Sequence, residues 1–145
     1  MLSIGKLSRA TGVKVSTIRY YEQIGLLPQT GRSAGNQRLY DRPAVERLAF
    51  IRHARELGFA LEDIRELLAL ADDPDGSCAA ADLIAGRQLA AVNARLRRLE
   101  ALRDELERML AHCTTGRIAD CRVIEVLGNH ALCSQDHAAG AGQDA

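Results

Sequence analysis

Aromatic residues are scarce: two Phe, three Tyr and no Trp make up 3% of 145 residues. Any core must therefore be mostly aliphatic. Proline is scarcer still, and Pro28, Pro43 and Pro74 all fall where one element should give way to the next. No apolar run is long enough to span a bilayer, and Met1–Ala10 holds no secretory segment, so a cytoplasmic protein without a membrane partner is expected. In that compartment the four cysteines read as thiols or metal ligands rather than structural disulfides. No His or acid stands in a motif that would activate a thiol as nucleophile, so no enzyme is expected. Net charge is zero, but residues 1–58 hold ten Lys or Arg against four acids, a net +6, and residues 59–145 hold nine against fifteen, a net −6. A basic front half points to a polyanion partner for that half alone.

What is present divides into short helical pieces and one long one. Ser3 is placed to cap a helix in which Ile4, Leu7 and Ala10 share a face; Gly12 breaks it. Ser16 should cap a second helix, Thr17 to Ile24, ended by Gly25 and barred from continuing by Pro28. Two short helices across a glycine turn make either a helix-turn-helix or a generic helical hairpin. In the first case Arg19 suits guanine edges, and Thr17, Tyr20 and Tyr21 suit phosphate oxygens. Around the turn dipeptide Gly35-Asn36, the stretch Arg32–Tyr40 can form a two-stranded ribbon carrying Arg32 and Arg38. It is either a wing on the DNA backbone or a solvated loop. Asp41 should cap a helix with Pro43 in its first turn, burying Val45, Leu48 and Ile51 and ending before Gly58. Arg47, Arg52 and Arg55 on that helix add phosphate contacts or form a solvated face. Leu61, Ile64, Leu67 and Leu68 mark a fourth helix, and Asp72–Gly76 a linker.

From Cys78 to Cys113 the apolar residues Ala85, Leu89, Val92, Leu96, Leu99, Leu106 and Leu110 recur at alternating steps of three and four, with only Arg103 out of character. This is a coiled-coil seam. A helix of that length rises roughly 50 Å, so its end cysteines cannot meet within one chain. In an antiparallel pair, Cys78 of one chain would lie beside Cys113 of the other, which suggests a homodimer with two equivalent thiol sites. Cys121 closes a loop begun at Cys113 and precedes a short apolar helix; the positive ends of helices suit thiolate ligands. Thiolates select soft ions, with Zn, Cd, Pb, Hg and Cu(I) all open. Cys133 and His130 are further candidate ligands, with a tail thiol and a solvated imidazole as the alternatives; His112 and His137 read as solvated. The tail beyond Cys133 has the composition of a disordered segment.

Taken together, Ile4-Gly5-Lys6-Leu7, Thr17-Ile18-Arg19-Tyr20-Tyr21-Glu22, Gly25-Leu26-Leu27-Pro28, the wing set Arg32, Asn36, Arg38 and Tyr40, and Val45-Glu46-Arg47-Leu48 with Phe50-Ile51 resemble the MerR family of metal- and stress-responsive regulators over residues 3–127. The resemblance implies a mainly α fold: a winged helix-turn-helix domain (1–72), an antiparallel coiled-coil dimerisation helix (77–112), a metal-binding loop and helix (113–133), and a tail (134–145). It implies a homodimer on a palindromic promoter operator in double-stranded DNA. Binding of the effector would then distort the DNA so that RNA polymerase can act. Thr17, Arg19, Tyr20, Tyr21, Arg32, Arg38 and Tyr40 become the DNA-contacting candidates. In place of the aromatic that relatives carry between Asn36 and Arg38, this chain has Gln37. A cysteine at the start of the dimerisation helix resembles the divalent-metal sensors, whereas the copper type has Ser there. Cys78, Cys113 and Cys121 are thus the expected ligands of Zn, Cd, Pb or Hg. The alternatives are a Cu(I) sensor using the two loop cysteines and a redox- or thiol-responsive regulator. Four clustered C-terminal cysteines, as an iron–sulfur sensor needs, and the length for a drug-binding domain are both missing.

Overall fold

In the computed structural model, residues 1–29, 31–111 and 116–133 are described; the expected tail, Cys113, His112 and His137 lie outside them. The described elements run β1 (Leu2–Ser3), α1 (Ile4–Thr11), α2 (Val15–Gln23), β2 (Gly31–Arg32), β3 (Arg38–Tyr40), α3 (Arg42–Glu56), α4 (Leu61–Ala71), α5 (Ala79–Ala111) and α6 (Arg122–Gly128), with short 3-10 turns at Ile118–Asp120 and His130–Leu132. The chain is mainly helical, as expected. By packing it divides into two units, Met1–Gln88 and Leu89–Ala145. No helix among the described residues is long and apolar enough to cross a membrane.

Within Met1–Gln88 the core is aliphatic with two tyrosines. Leu7 of α1, Ile18 and Tyr21 of α2, Leu26 and Leu27 after it, Tyr40 of β3, Leu48 and Ile51 of α3, and Ile64 and Leu68 of α4 form one buried cluster. Ala44, Leu48, Ile51 and Ala54 recur at steps of four, three and three, so one stripe of α3 meets the core. Val45 packs at its margin. Side-chain caps start the helices where expected: Ser3 Oγ accepts from Lys6 N at 3.3 Å, and Asp41 Oδ1 from Ala44 N at 3.0 Å. Gly12 ends α1 at φ 73°, its N–H donating to Ser8 O at 2.8 Å. A side chain there would be strained by that φ and would also run into the Arg52 guanidinium.

Two expectations are corrected. Ser16 is not the cap of α2: the helix already starts at Val15, and Lys14 holds the cap position without a side-chain hydrogen bond. The ribbon is not two-stranded either. Leu2 and Ser3 pair antiparallel with Tyr40 and Leu39, giving a sheet of order β1-β3-β2. A strand of two residues has no period to read in a sequence, and its partner lies 36 to 38 positions away. The start of α4 has Ala60 at the cap position and no side-chain cap.

In Leu89–Ala145, α5 continues to Ala111, burying Glu105 and Met109. Its leucines stay uncovered: Leu89, Leu96, Leu99, Leu106 and Leu110 are each at least half exposed, and Val92 37%. Cys121 is the N-cap residue of α6, which buries Val126.

Replacing Asp41 with Ala removes the one side-chain cap of the longest helix beside the wing. It should cost about 1 kcal/mol and lower the thermal midpoint by several degrees, roughly 4–8 °C for a domain of this size. Circular dichroism melting of the two proteins measures it, and an unchanged midpoint would show that the cap is idle.

Candidate nucleic-acid interface

α2 is held at its far end by Gly25 at φ 76° and by Leu26 N donating to Tyr21 O at 2.8 Å. Its buried face is Ile18 and Tyr21, so Arg19 and Tyr20 must face out, and both are exposed. Thr17 is half-buried. Across from α2, the wing turn is closed by Ser33 N to Gln37 O at 2.7 Å and Asn36 N to Ser33 O at 2.9 Å. Asn36 adopts φ 64°, a left-handed conformation that asparagine tolerates well. Arg32 Nη1 donates to Asn36 O at 3.1 Å, which stiffens the tip.

Arg19, Arg32 and Arg38 come together along one open groove of about 620 Å³, with Gln37, Asn36 and the first residues of α1, Ser3 to Gly5, as its other walls. Three guanidiniums around an open groove favour a polyanion, and a planar fork suits phosphate oxygens or a guanine edge. Two of the expected contacts are placed otherwise. Tyr21 is 7% exposed and Tyr40 1%, both in the core cluster. Tyr40 instead donates its hydroxyl to Glu22, whose side chain is only 2% exposed. Burial above all, and then the hydrogen bond and charge of Glu22, push the Tyr40 phenol well above its ordinary value; Arg38 and Arg19 act in the opposite direction. Glu22 also pairs with Arg38 Nη1 at 3.2 Å and accepts from Gln29 Nε2 at 3.2 Å. Sequence reasoning passed over Glu22. The signal was there, since it is the one acid among residues 1–40, beside six Lys or Arg.

The arginines of α3 turn out to have partners within the domain. Arg47 Nε donates to Leu26 O at 3.1 Å, Arg52 to Thr11 O, and Arg55 Nη1 to Phe59 O at 2.9 Å. They secure chain ends rather than forming an idle solvated face.

The thiols are distributed along both units. Cys78 is exposed just ahead of α5, its Sγ 3.8 Å from Asp82 Oδ2. Cys121 and Cys133 are half-buried, at the start of α6 and after the last 3-10 turn, and His130 begins that turn. Among the described residues no three such ligands cluster, and Cys113 lies outside them.

A helix-turn-helix, a three-stranded wing and an arginine groove between them define a winged-helix nucleic-acid-binding protein. Residues 2–71 match the family described as "MerR HTH family regulatory protein", and residues 45–109 that described as "MerR, DNA binding". The HTH-type transcriptional regulator ZntR of Escherichia coli K12 is 38% identical over 130 residues, covering 88% of this chain and 92% of that protein. Heavy metal-dependent transcription regulator 2 of Rhizobium meliloti is 34% identical over 128 residues, covering 88% and 87%. The crystal structure of the transcription regulator PbrR691 from Ralstonia metallidurans CH34 in complex with lead(II) superposes with a TM-score of 0.74 at 36% identity, covering 88% of this chain and 99% of that one. The chain belongs to the MerR family of helix-turn-helix transcription regulators, which are DNA-binding proteins and not enzymes.

On this geometry, Arg19→Ala should weaken binding to a preferred duplex about 10- to 100-fold while leaving the fold intact, because the side chain is exposed and reaches outward. Arg32→Ala, at the wing tip, should weaken all duplexes alike and flatten the salt dependence. Fluorescence titrations of duplexes enriched from a random pool, at two salt concentrations, check both. Equal affinities for wild type and both variants would remove the groove from the interface.

Proposed function

We propose that this chain is a metal-responsive activator that binds a palindromic promoter operator as a homodimer in the cytoplasm. With a soft divalent ion held by thiols of both subunits, the dimer distorts the operator so that RNA polymerase can use the promoter. The observation that carries the reading is the uncovered seam of α5. Six large apolar side chains, Leu89, Val92, Leu96, Leu99, Leu106 and Leu110, lie exposed along one helix at heptad spacing. A stripe of that kind calls for a second helix. An antiparallel copy would set the partner's Cys78 near Cys113 and Cys121, since α5 ends two residues before Cys113. Thiol donors of this type suit Zn, Cd, Pb and Hg. Relatives support a metal effector: one is named heavy metal-dependent, and PbrR691 was solved with lead(II). In the groove, Thr17, Arg19, Tyr20, Arg32 and Arg38 meet the DNA, and Tyr21 and Tyr40 hold those residues in place from beneath. Cys133 and His130 are candidates for a further ligand.

Placing Glu at Leu96 or Leu99 buries an unpaired charge in the seam and should split or unfold the dimer. Light scattering at micromolar concentration reads this directly, and a folded wild-type monomer would overturn the assembly.

For the metal, Cd or Hg should produce a sulfur-to-metal charge-transfer band at about two ions per dimer. Cys113→Ser or Cys121→Ser should abolish the band and Cys78→Ser should diminish it. Promoter activation by Zn, Cd, Pb, Hg and Cu(I) then separates the readings. Loss of the divalent responses in Cys78→Ser supports the cross-subunit site. If those responses survive, the loop pair acts alone, as in a copper sensor.

A further inference from the structure

Glu22 lies on the helix that faces a polyanion, where an exposed carboxylate would repel phosphate. The fold hides its side chain, only 2% of which is exposed. One oxygen accepts from the Tyr40 hydroxyl; the other takes Gln29 Nε2 and pairs with Arg38 Nη1, each at 3.2 Å. Three segments (α2, the loop after it and β3) therefore converge on one carboxylate. Arg38 is still a third exposed and lines the groove with Arg19 and Arg32. A guanidinium has five N–H donors, so one edge can hold Glu22 while the outer edge faces the groove.

We propose that Glu22 is a positioning residue that stands in for a DNA phosphate: it fixes Arg38 of the wing against the recognition helix and cancels its charge before any duplex is bound. Arg38 then contributes placement rather than bulk attraction. The wing is locked at one spacing from Arg19, and the groove carries the field of two arginines, not three. Sequence discrimination gains from both effects. A loose wing with an uncompensated arginine grips any phosphate backbone, because non-specific affinity follows the number of charges that displace counterions.

The test uses the full-length protein, a duplex enriched from a random pool by the wild type, and a scrambled duplex. Glu22→Gln keeps an acceptor oxygen for Tyr40 but removes the charge. It should bind the scrambled duplex more tightly at low salt and lower the ratio of enriched to scrambled affinity. Its loss of affinity between 50 and 200 mM salt should be about threefold larger than for the wild type, the effect of roughly one added charge. The double variant Glu22→Gln/Arg38→Gln restores the net charge, so its salt dependence should return to that of wild type while the ratio stays low. This variant leaves no cation without a partner and keeps the comparison usable should the single one fold poorly. Tyr40 gives an optical readout. Its phenol titration, isolated by subtracting that of Tyr40→Phe, should begin at lower pH once the Glu22 charge is gone, while burial keeps it above the ordinary value. Because the folded value is raised, the stability tied to it is whole below about pH 10 and is lost as pH rises beyond, with a smaller total loss in Glu22→Gln. A folded Glu22→Gln with wild-type salt dependence, or one that weakens both duplexes alike, would overturn the proposal.

Discussion

Around the aliphatic core of the Met1–Gln88 unit, long polar side chains set against carbonyl ends tie its elements to one another. Helices leave their last carbonyls without intrahelical donors, and a small domain made of short helices has many such ends. Arg52 of α3 reaches Thr11 O at the end of α1, Arg65 of α4 reaches Ile24 O after α2, and Arg47 reaches Leu26 O. Gln88 of α5 closes the series on Leu57 O at the end of α3, at 2.9 Å. Each contact gives a carbonyl near a helix end a donor, and the three arginines also set a cation beside it. A basic half-chain would otherwise strain against its own charge. Here part of that charge is set against internal carbonyls, while Arg19, Arg32 and Arg38 are gathered at the groove.

The parts legible in the sequence are those whose signals are local. Ser3 with Gly12, Asp41 with Pro43, and Gly58 bracket helices within a few residues of where they are found. The wing turn was readable from Gly35-Asn36 for the same reason, since the left-handed φ belongs to the residue itself. What could not be read depends on pairs far apart in sequence. β1 exists because β3 offers it an edge. The roles of Arg52 and Arg65 depend on contacts across 41 positions, and that of Glu22 on Tyr40, 18 positions away. The hydroxyl of Tyr21 suits a phosphate oxygen and the resemblance adds Tyr40, but in a chain with five aromatics both rings lie in the core.

Burial therefore alters how the interface should be understood. Residues proposed to touch DNA and residues that hold them are interleaved along α2: Arg19 and Tyr20 outward, Ile18 and Tyr21 inward, and Glu22 turned toward the wing. A helix places neighbours about 100° apart, so five consecutive residues can serve three surfaces at once. The ordered motif is compact for that reason, and substitutions of adjacent residues in it should have effects of different kinds.

The seam of α5 carries its own registration. Eight positions, Ala85, Leu89, Val92, Leu96, Leu99, Arg103, Leu106 and Leu110, are spaced symmetrically about a point between Leu96 and Leu99. In the proposed antiparallel pair each therefore meets a seam position of the other copy: Leu96 with Leu99, Leu89 with Leu106, Ala85 with Leu110, and Arg103 with Val92. Slipping by a heptad leaves terminal leucines uncovered, each worth roughly 1.5–3 kcal/mol of burial. Arg103 adds to this selectivity. Its aliphatic stem can cover a valine while the guanidinium turns out toward Glu107, 4.0 Å away. Polar seam residues of this kind fix register at some expense of stability. The symmetry of the leucine spacing thus favours the one register of the proposed pair in which every seam position is covered.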